Sequence, residues 1–172
     1  FWKKPEFAYG ALSSIETSGR TALAEMRVLL RVLNADEEDN AAREPVATLA
    51  GLPLLIERIE AAGLPVELLT QGTPVPLPPS VDMAAYRIVQ ESLTNCLKHA
   101  GSARAIVRIG YQAQRLDLQI IDNGVQRPAG ETGRGLLGMH QRATLLGGEF
   151  SAGRSATGFQ VHAVLPFPEG WL

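Results

Sequence analysis

Glu91, Asn95, Lys98 and His99 put a carboxylate, an amide, a cation and an imidazole within one short stretch of chain. Steps of four, seven and eight residues return to nearly the same side of an α-helix, so the four share a sector if the stretch is helical. Asn95 is the informative member. A neutral amide oxygen is a hard ligand suited to Mg²⁺ beside phosphates, and Lys98 would add a point charge for them. The opposite sector carries Tyr86, Val89, Leu93, Cys96 and Ala100, a core face in which Cys96 reads as a small buried residue. A solvated surface helix would show the same split, so this stretch alone leaves both readings open.

Two further clusters follow. Asp122-Asn123-Gly124 closes an apolar run, and Asn-Gly is a favoured hairpin turn. No returning strand follows, because the next residues include Gln126, Arg127, Pro128 and Gly130. A carboxylate at a strand end can instead accept a hydrogen bond from an exocyclic amine such as that of adenine, and Gly124 lets a ring approach the backbone. Gly133-Arg134-Gly135-Leu136-Leu137-Gly138 satisfies G-x-G-x-x-G. A dinucleotide fingerprint should open a βαβ unit directly after its strand, and this one stands too late in the chain. What remains is physical: glycines ahead of a helix expose N–H groups and a positive dipole end to phosphate. The chain contains no G-x-x-x-x-G-K-[ST] loop.

The elements that must position these groups can be read from periodicity. Leu12, Ile15, Leu23, Met26, Leu29, Leu30 and Leu33 recur at spacings of three and four, which predicts a long amphipathic helix over 11–33. Its apolar stripe must pack on its own domain or belong to one helix of a bundle completed by another chain, and the polar break after it favours the bundle. An acidic polar stretch follows, giving expected units of 1–36, a linker at 37–45 and a domain at 46–172. Within that domain the patterns predict a helix over 46–62 closed by Gly63, and a short strand over 66–69. A helix over 81–100 with Ser80 as N-cap comes next. Alternating strands are expected around 105–111 and 116–120, a loop over 125–134, a helix over 136–146 and a last strand over 159–165. The order predicts a two-layer α/β sandwich of helices on antiparallel-type strands, preceded by one long helix.

Bulk properties limit the partners. A net charge of -2 and a pI near 5.9 offer no field to hold nucleic acid or an acidic membrane surface. One cysteine permits neither an intrachain disulfide nor a multi-cysteine zinc site. No apolar run approaches the ~18 to 20 residues of a membrane span, so a soluble chain is expected.

Taken together, the blocks resemble the N, D and G boxes of the GHKL ATPase superfamily, and specifically histidine kinases of the nitrate-sensor and DesK type. The stretch 86–100, with Glu91 where other histidine kinases usually have Asn, resembles that family's N box. Asp122-Asn123-Gly124 resembles the D box, and Gly133 to Met139 with Gly147-Gly148 the G box and the helix after it. Residues 22–30 resemble the second helix of the family's dimerisation and phosphotransfer bundle. The resemblance implies a Bergerat-type ATP/ADP pocket: Asp122 and Gly124 at adenine, Asn95 on Mg²⁺, and Lys98 and His99 facing the phosphates. Gly133, Gly135, Leu136 and Gly138 would let a lid wrap them. Glu91 would accept a proton or order Mg²⁺. It further implies a cytoplasmic domain of a homodimeric parent anchored in the bacterial inner membrane, and a response regulator with a helix-turn-helix output as partner. The phosphorylatable histidine of that family stands on the first bundle helix. His99, His140 and His162, the chain's histidines, are not in that context, so no autophosphorylation of this chain by itself is expected. A GHKL ATPase or an anti-sigma-factor-type serine kinase shares the pocket but gives no reason for the 11–33 helix. A dimerisation module with a decayed site is disfavoured by the intact Glu91, Asn95 and Asp122.

Overall fold

The computed structural model describes residues 47–99, 103–124 and 134–168. The chain divides into two units, 1–40 and 41–172, and every described residue belongs to the second. The expected 11–33 helix, the linker, the 125–133 part of the loop and Gly133 lie outside the described residues, so the proposed boundaries at 36 and 45 remain expectations.

The second unit opens with a 3-10 turn, Leu49–Gly51, and helix α1, Leu52–Ala61. The sequence predicts a continuous helix from 46; the α-helix begins at Leu52 instead. Pro53 in its first turn lacks the N–H that an interior position would have to donate. Leu52, Leu55, Ile56 and Ile59 form its buried stripe. Gly63, at φ 101°, then closes α1 as expected. The N–H of Gly63 donates to the Glu60 carbonyl and that of Leu64 to Ile59, the paired bonds of a Schellman end.

Strand β1, Val66–Gln71, leads through a proline-rich loop to helix α2, Pro79–His99. Ser80 is not its N-cap: the helix starts one residue earlier, with Pro79 at the first position. The Pro78 carbonyl accepts the N–H groups of Val81 and Asp82. The Asp82 carboxylate accepts the Leu49 N–H at 2.8 Å, tying the 3-10 turn to α2. Next come β2, Ala105–Gln112, and β3, Arg115–Asp122, then α3, Arg134–Leu145, two residues ahead of its expected start. Two strands finish the unit: β4, Glu149–Arg154, and β5, Phe159–Pro166. The sequence patterns do not reveal β4.

The sheet order is β1-β2-β3-β5-β4. All neighbours are antiparallel except β1 and β2, which are parallel, a departure from the antiparallel-type expectation. Parallel neighbours need a crossover, and α2 is that crossover. It therefore runs back against the strands, and its C-terminal end arrives where β2 begins. Ala105 at that start is paired with Asp122 at the end of β3, and Asp122 with Phe159 at the start of β5. The last turns of α2 and the end of β3 are thus brought to one end of the sheet by topology alone.

One face of the sheet is the core. Val107, Ile109, Leu116, Leu118, Ile120, Val161, Ala163 and Leu165 are buried there, under Ile88, Val89 and Leu93 of α2 and Met139 and Ala143 of α3. Each fully buried Leu or Ile contributes about 1.5 to 3 kcal/mol relative to exposure. The other face carries half-exposed polar pairs, Arg108 with Gln119 at 2.8 Å and His162 with Asp117 at 3.1 Å. Helices on one face and polar residues on the other make the expected two layers.

Burial raises the pKa of Tyr111 above its ordinary 10.0, and the nearby Asp82 carboxylate adds to the rise. The folded state therefore disfavours the phenolate, so stability present below pH 10 is lost as pH rises through the folded pKa. Tyr111→Phe is expected to move the alkaline unfolding midpoint upward, read by far-UV circular dichroism between about pH 9 and 12. An unchanged midpoint would exclude Tyr111 as the group that limits alkaline stability.

Candidate functional site

Glu91 and Asn95 face each other one turn apart on α2, the Asn95 amide donating to Glu91 Oε1 at 3.4 Å. A carboxylate only accepts, so this contact turns the Asn95 nitrogen toward Glu91 and its oxygen the other way. Both side chains are half-buried. Lys98 and His99, on the last turn, are exposed. There they also complement the negative end of the helix dipole, which accounts for them without a ligand.

Glu91 also meets the start of α3. A Cβ added at Gly135 would overlap Glu91 Oε1 and lie 2.9 Å from its Cδ. Gly135 is thus the residue that lets α3 begin against the carboxylate. Below this contact the Ser92 hydroxyl donates to Met139 Sδ at 3.4 Å, holding the two helices together. Gly135 is inside the helix rather than ahead of it, which corrects the expected placement, and Gly138 is inside it as the expected 136–146 helix has it. Leu136 is half-buried beside them. A side chain at Gly138 would come 3.3 Å from the flexible tip of Arg142, so no close approach demands glycine there. The N–H groups at a helix start are the anion-favouring feature that this region offers.

Asp122 is only 2% exposed. Its Oδ1 accepts the Gly124 N–H at 2.9 Å, an Asx turn that ends β3 without a hairpin. Its Oδ2 accepts the Cys96 thiol at 3.2 Å. Cys96 is buried, as its place on the core face predicts, but its bond to Asp122 could not be read from that face. Asn123 is exposed and bonds to Arg104 on both sides of the β2 entrance, extending the ladder beyond the strand ends.

Sequence reasoning also missed the β4–β5 turn. A Cβ at Gly158 would overlap the Asp122 carbonyl oxygen and lie 2.8 Å from Asn123 Cα. Nothing local in the sequence marks that approach. Gly124, Arg154, Ser155, Thr157, Gly158 and Phe159 border an open hollow of about 220 Å³ beside it. Small-molecule pockets usually run to ~300–1,000 Å³, so this is a margin of the region rather than a nucleotide pocket. The structure therefore joins Glu91, Asn95 and Gly135 in one group, and Asp122, Gly124, Cys96 and Gly158 in another. Asn95 and Cys96, adjacent on α2, link the two. Among the described residues no group of three or more His, Cys, Asp or Glu side chains is placed to hold a metal ion. No described helix is long and apolar enough to cross a membrane.

Residues 81–169, from the first turn of α2 past the end of β5, match the family of histidine kinase-, DNA gyrase B-, and HSP90-like ATPases. The chain belongs to that family. Among individual proteins it is similar to the sensor histidine kinase LnrJ of Bacillus subtilis, 32% identical over 151 residues, which make up 86% of this chain and 36% of that protein. The B. subtilis sensor histidine kinase YhcY is 30% identical over 151 residues, covering 86% and 37%. The chain thus spans little more than a third of the length of these relatives. Its fold is also that of the histidine kinase domain of a blue-light-activated histidine kinase from Erythrobacter litoralis EL346. That match has TM-score 0.57 and 21% identity, covering 84% of this chain and 72% of that one. Residues 81–169 are accordingly an ATP-binding domain of the kind carried by sensor histidine kinases.

Proposed function

We propose that this chain is the catalytic part of a cytoplasmic sensor kinase and moves the γ-phosphoryl group of ATP to a histidine on a helix outside it. The observation that carries this reading is the meeting of Glu91, Asn95 and Gly135 beside the Asp122–Cys96 contact, in a chain of this ATPase family. Asp122 accepts the exocyclic amine of adenine, and Gly124 lets the ring lie against the chain. The first turn of α3, with Lys98 and His99, faces the phosphates. Asn95, whose oxygen points away from Glu91, suits a bound Mg²⁺, which supplies charge neutralisation on the phosphate oxygens. An imidazole nitrogen attacks the γ-phosphorus; the N–P bond forms as the bond to the ADP oxygen breaks. Glu91 accepts the proton released from the other ring nitrogen. The phosphoryl group then passes to an aspartate of a response regulator, one with a helix-turn-helix output, and the parent acts as a homodimer whose bundle includes residues 1–36.

The experiment is transfer in trans. The chain, γ-labelled ATP and Mg²⁺ are mixed with a separately supplied helical bundle bearing the acceptor histidine. Acid-labile label on the bundle, with none on the chain alone, is the expected result. ATP hydrolysis without transfer to any supplied bundle would favour the ATPase alternative.

A further inference from the structure

We propose that Cys96 is a positioning residue for base recognition: its thiol, projecting from α2, fixes the orientation of the Asp122 carboxylate. The inference rests on the reading of Asp122 as the group that meets adenine, and adds to it the residue that aims it. A carboxylate turns about its Cβ–Cγ bond in a broad, two-fold well, so burial alone does not set the plane of its oxygens. Two donors on different oxygens do set it. The Gly124 N–H holds Oδ1 at 2.9 Å from the strand's own end, and the Cys96 thiol holds Oδ2 at 3.2 Å from the facing helix. An ionised carboxylate offers about four acceptor sites, more than these two donors use.

Position matters as much as donor chemistry. Cys96 is 3% exposed and Asp122 2%, so bulk water is a poor replacement for a missing donor at that oxygen. Valine at 96 would fill the space and donate nothing. Serine would donate more strongly from a shorter reach. Because α2 also carries Asn95, the same turn that aims the base reader carries the amide assigned to the phosphate end. The base and phosphate ends of the site are thereby set relative to one another by adjacent residues.

The test is a comparison of ADP with inosine diphosphate, in which a carbonyl replaces the 6-amino group. Calorimetric titrations with Mg²⁺ use the full chain as wild type, Cys96→Val, Cys96→Ala and Cys96→Ser. The expected result is a preference of the wild type for ADP. That preference falls by about tenfold in Cys96→Val and Cys96→Ala, through ADP affinity alone, and is kept in Cys96→Ser. A merely structural role would weaken both nucleotides together. Cys96 is the single cysteine of the chain, so its S–H infrared band gives a second readout that leaves Cys96 itself unchanged. The band should report a hydrogen-bonded thiol and move in Asp122→Asn. A wild-type preference for ADP that survives in both Cys96→Val and Cys96→Ala, or an S–H band of an unbonded thiol, overturns the proposal and leaves the pocket reading standing. If the wild type binds neither nucleotide, the pocket reading fails and this proposal fails with it.

Discussion

Asp122→Asn is expected to lower ADP affinity by about tenfold to a hundredfold while leaving the chain folded. The substitution keeps the shape, and an oxygen can still accept the Gly124 N–H that Asp122 Oδ1 now holds at 2.9 Å. It replaces the other acceptor by an amide NH₂, which would face the Cys96 thiol and the adenine amine, donor against donor. A base left with a polar group unpaired in a buried site loses roughly 1.5 to 3 kcal/mol for a bond to a charged partner, and a site built for a hydrogen bond discriminates strongly when it is absent. Asp122→Ala is expected to be as poor a binder but less stable, because Asp122 is buried and bonded to Gly124 and Cys96. Titration calorimetry with Mg²⁺-ADP measures the affinity, and thermal unfolding the fold. ADP affinity within threefold of wild type in a folded Asp122→Asn would remove Asp122 as the base reader.

The second large effect belongs to Glu91. Glu91→Gln keeps the length of the side chain and removes its basicity, and transfer to a supplied histidine is expected to fall by roughly a hundredfold to ten-thousandfold, the usual worth of a positioned proton acceptor. Nucleotide affinity should change little. Gly135→Ala tests the same group from the other side. The new methyl would occupy the place of Glu91 Oε1, and only the flexible end of that side chain has to move. It should therefore slow transfer while α2 and α3 stay packed through Ser92 and Met139. Because both changes act on one carboxylate, the double variant should be hardly slower than Glu91→Gln alone. Additive losses would show that Gly135 acts on something other than Glu91.

What the sequence shows and what it conceals follow from how local each signal is. The polar and apolar faces of α2 were legible because a 3.6-residue period lies within the helix itself, and Gly63 marked the end of α1 by the same local logic. Ser92 and Thr94 are buried on α2 although neither is apolar, since small hydroxyl side chains fit against the core. β4 was concealed because an edge strand with one half-buried aromatic, Phe150, carries little alternation. The parallel pairing of β1 with β2 is a property of the crossover, not of either strand's residues. Gly158 was invisible for a stronger reason: its need for a bare Cα comes from the backbone of Asp122, thirty-six residues earlier and on another strand. The bond from Cys96 to Asp122 is of the same long-range kind. The family resemblance could single out candidate residues, whereas their supports appear only once the sheet is assembled.

The strand order has a consequence for how far the domain can be cut. Every candidate site residue, from Glu91 to Gly138, lies ahead of β4. A chain ending just after α3 would retain all of them. It would nevertheless lose β5, which pairs with β3 along its whole length and meets Asp122 at Phe159. β3 would become an open edge, Leu118 and Ile120 would lose the cover of Val161 and Ala163, and unpaired strand groups would invite association with other copies. The residues proposed to do the chemistry and the residues that must be present to hold them in place are therefore different sets. The boundary of the second set falls at β5.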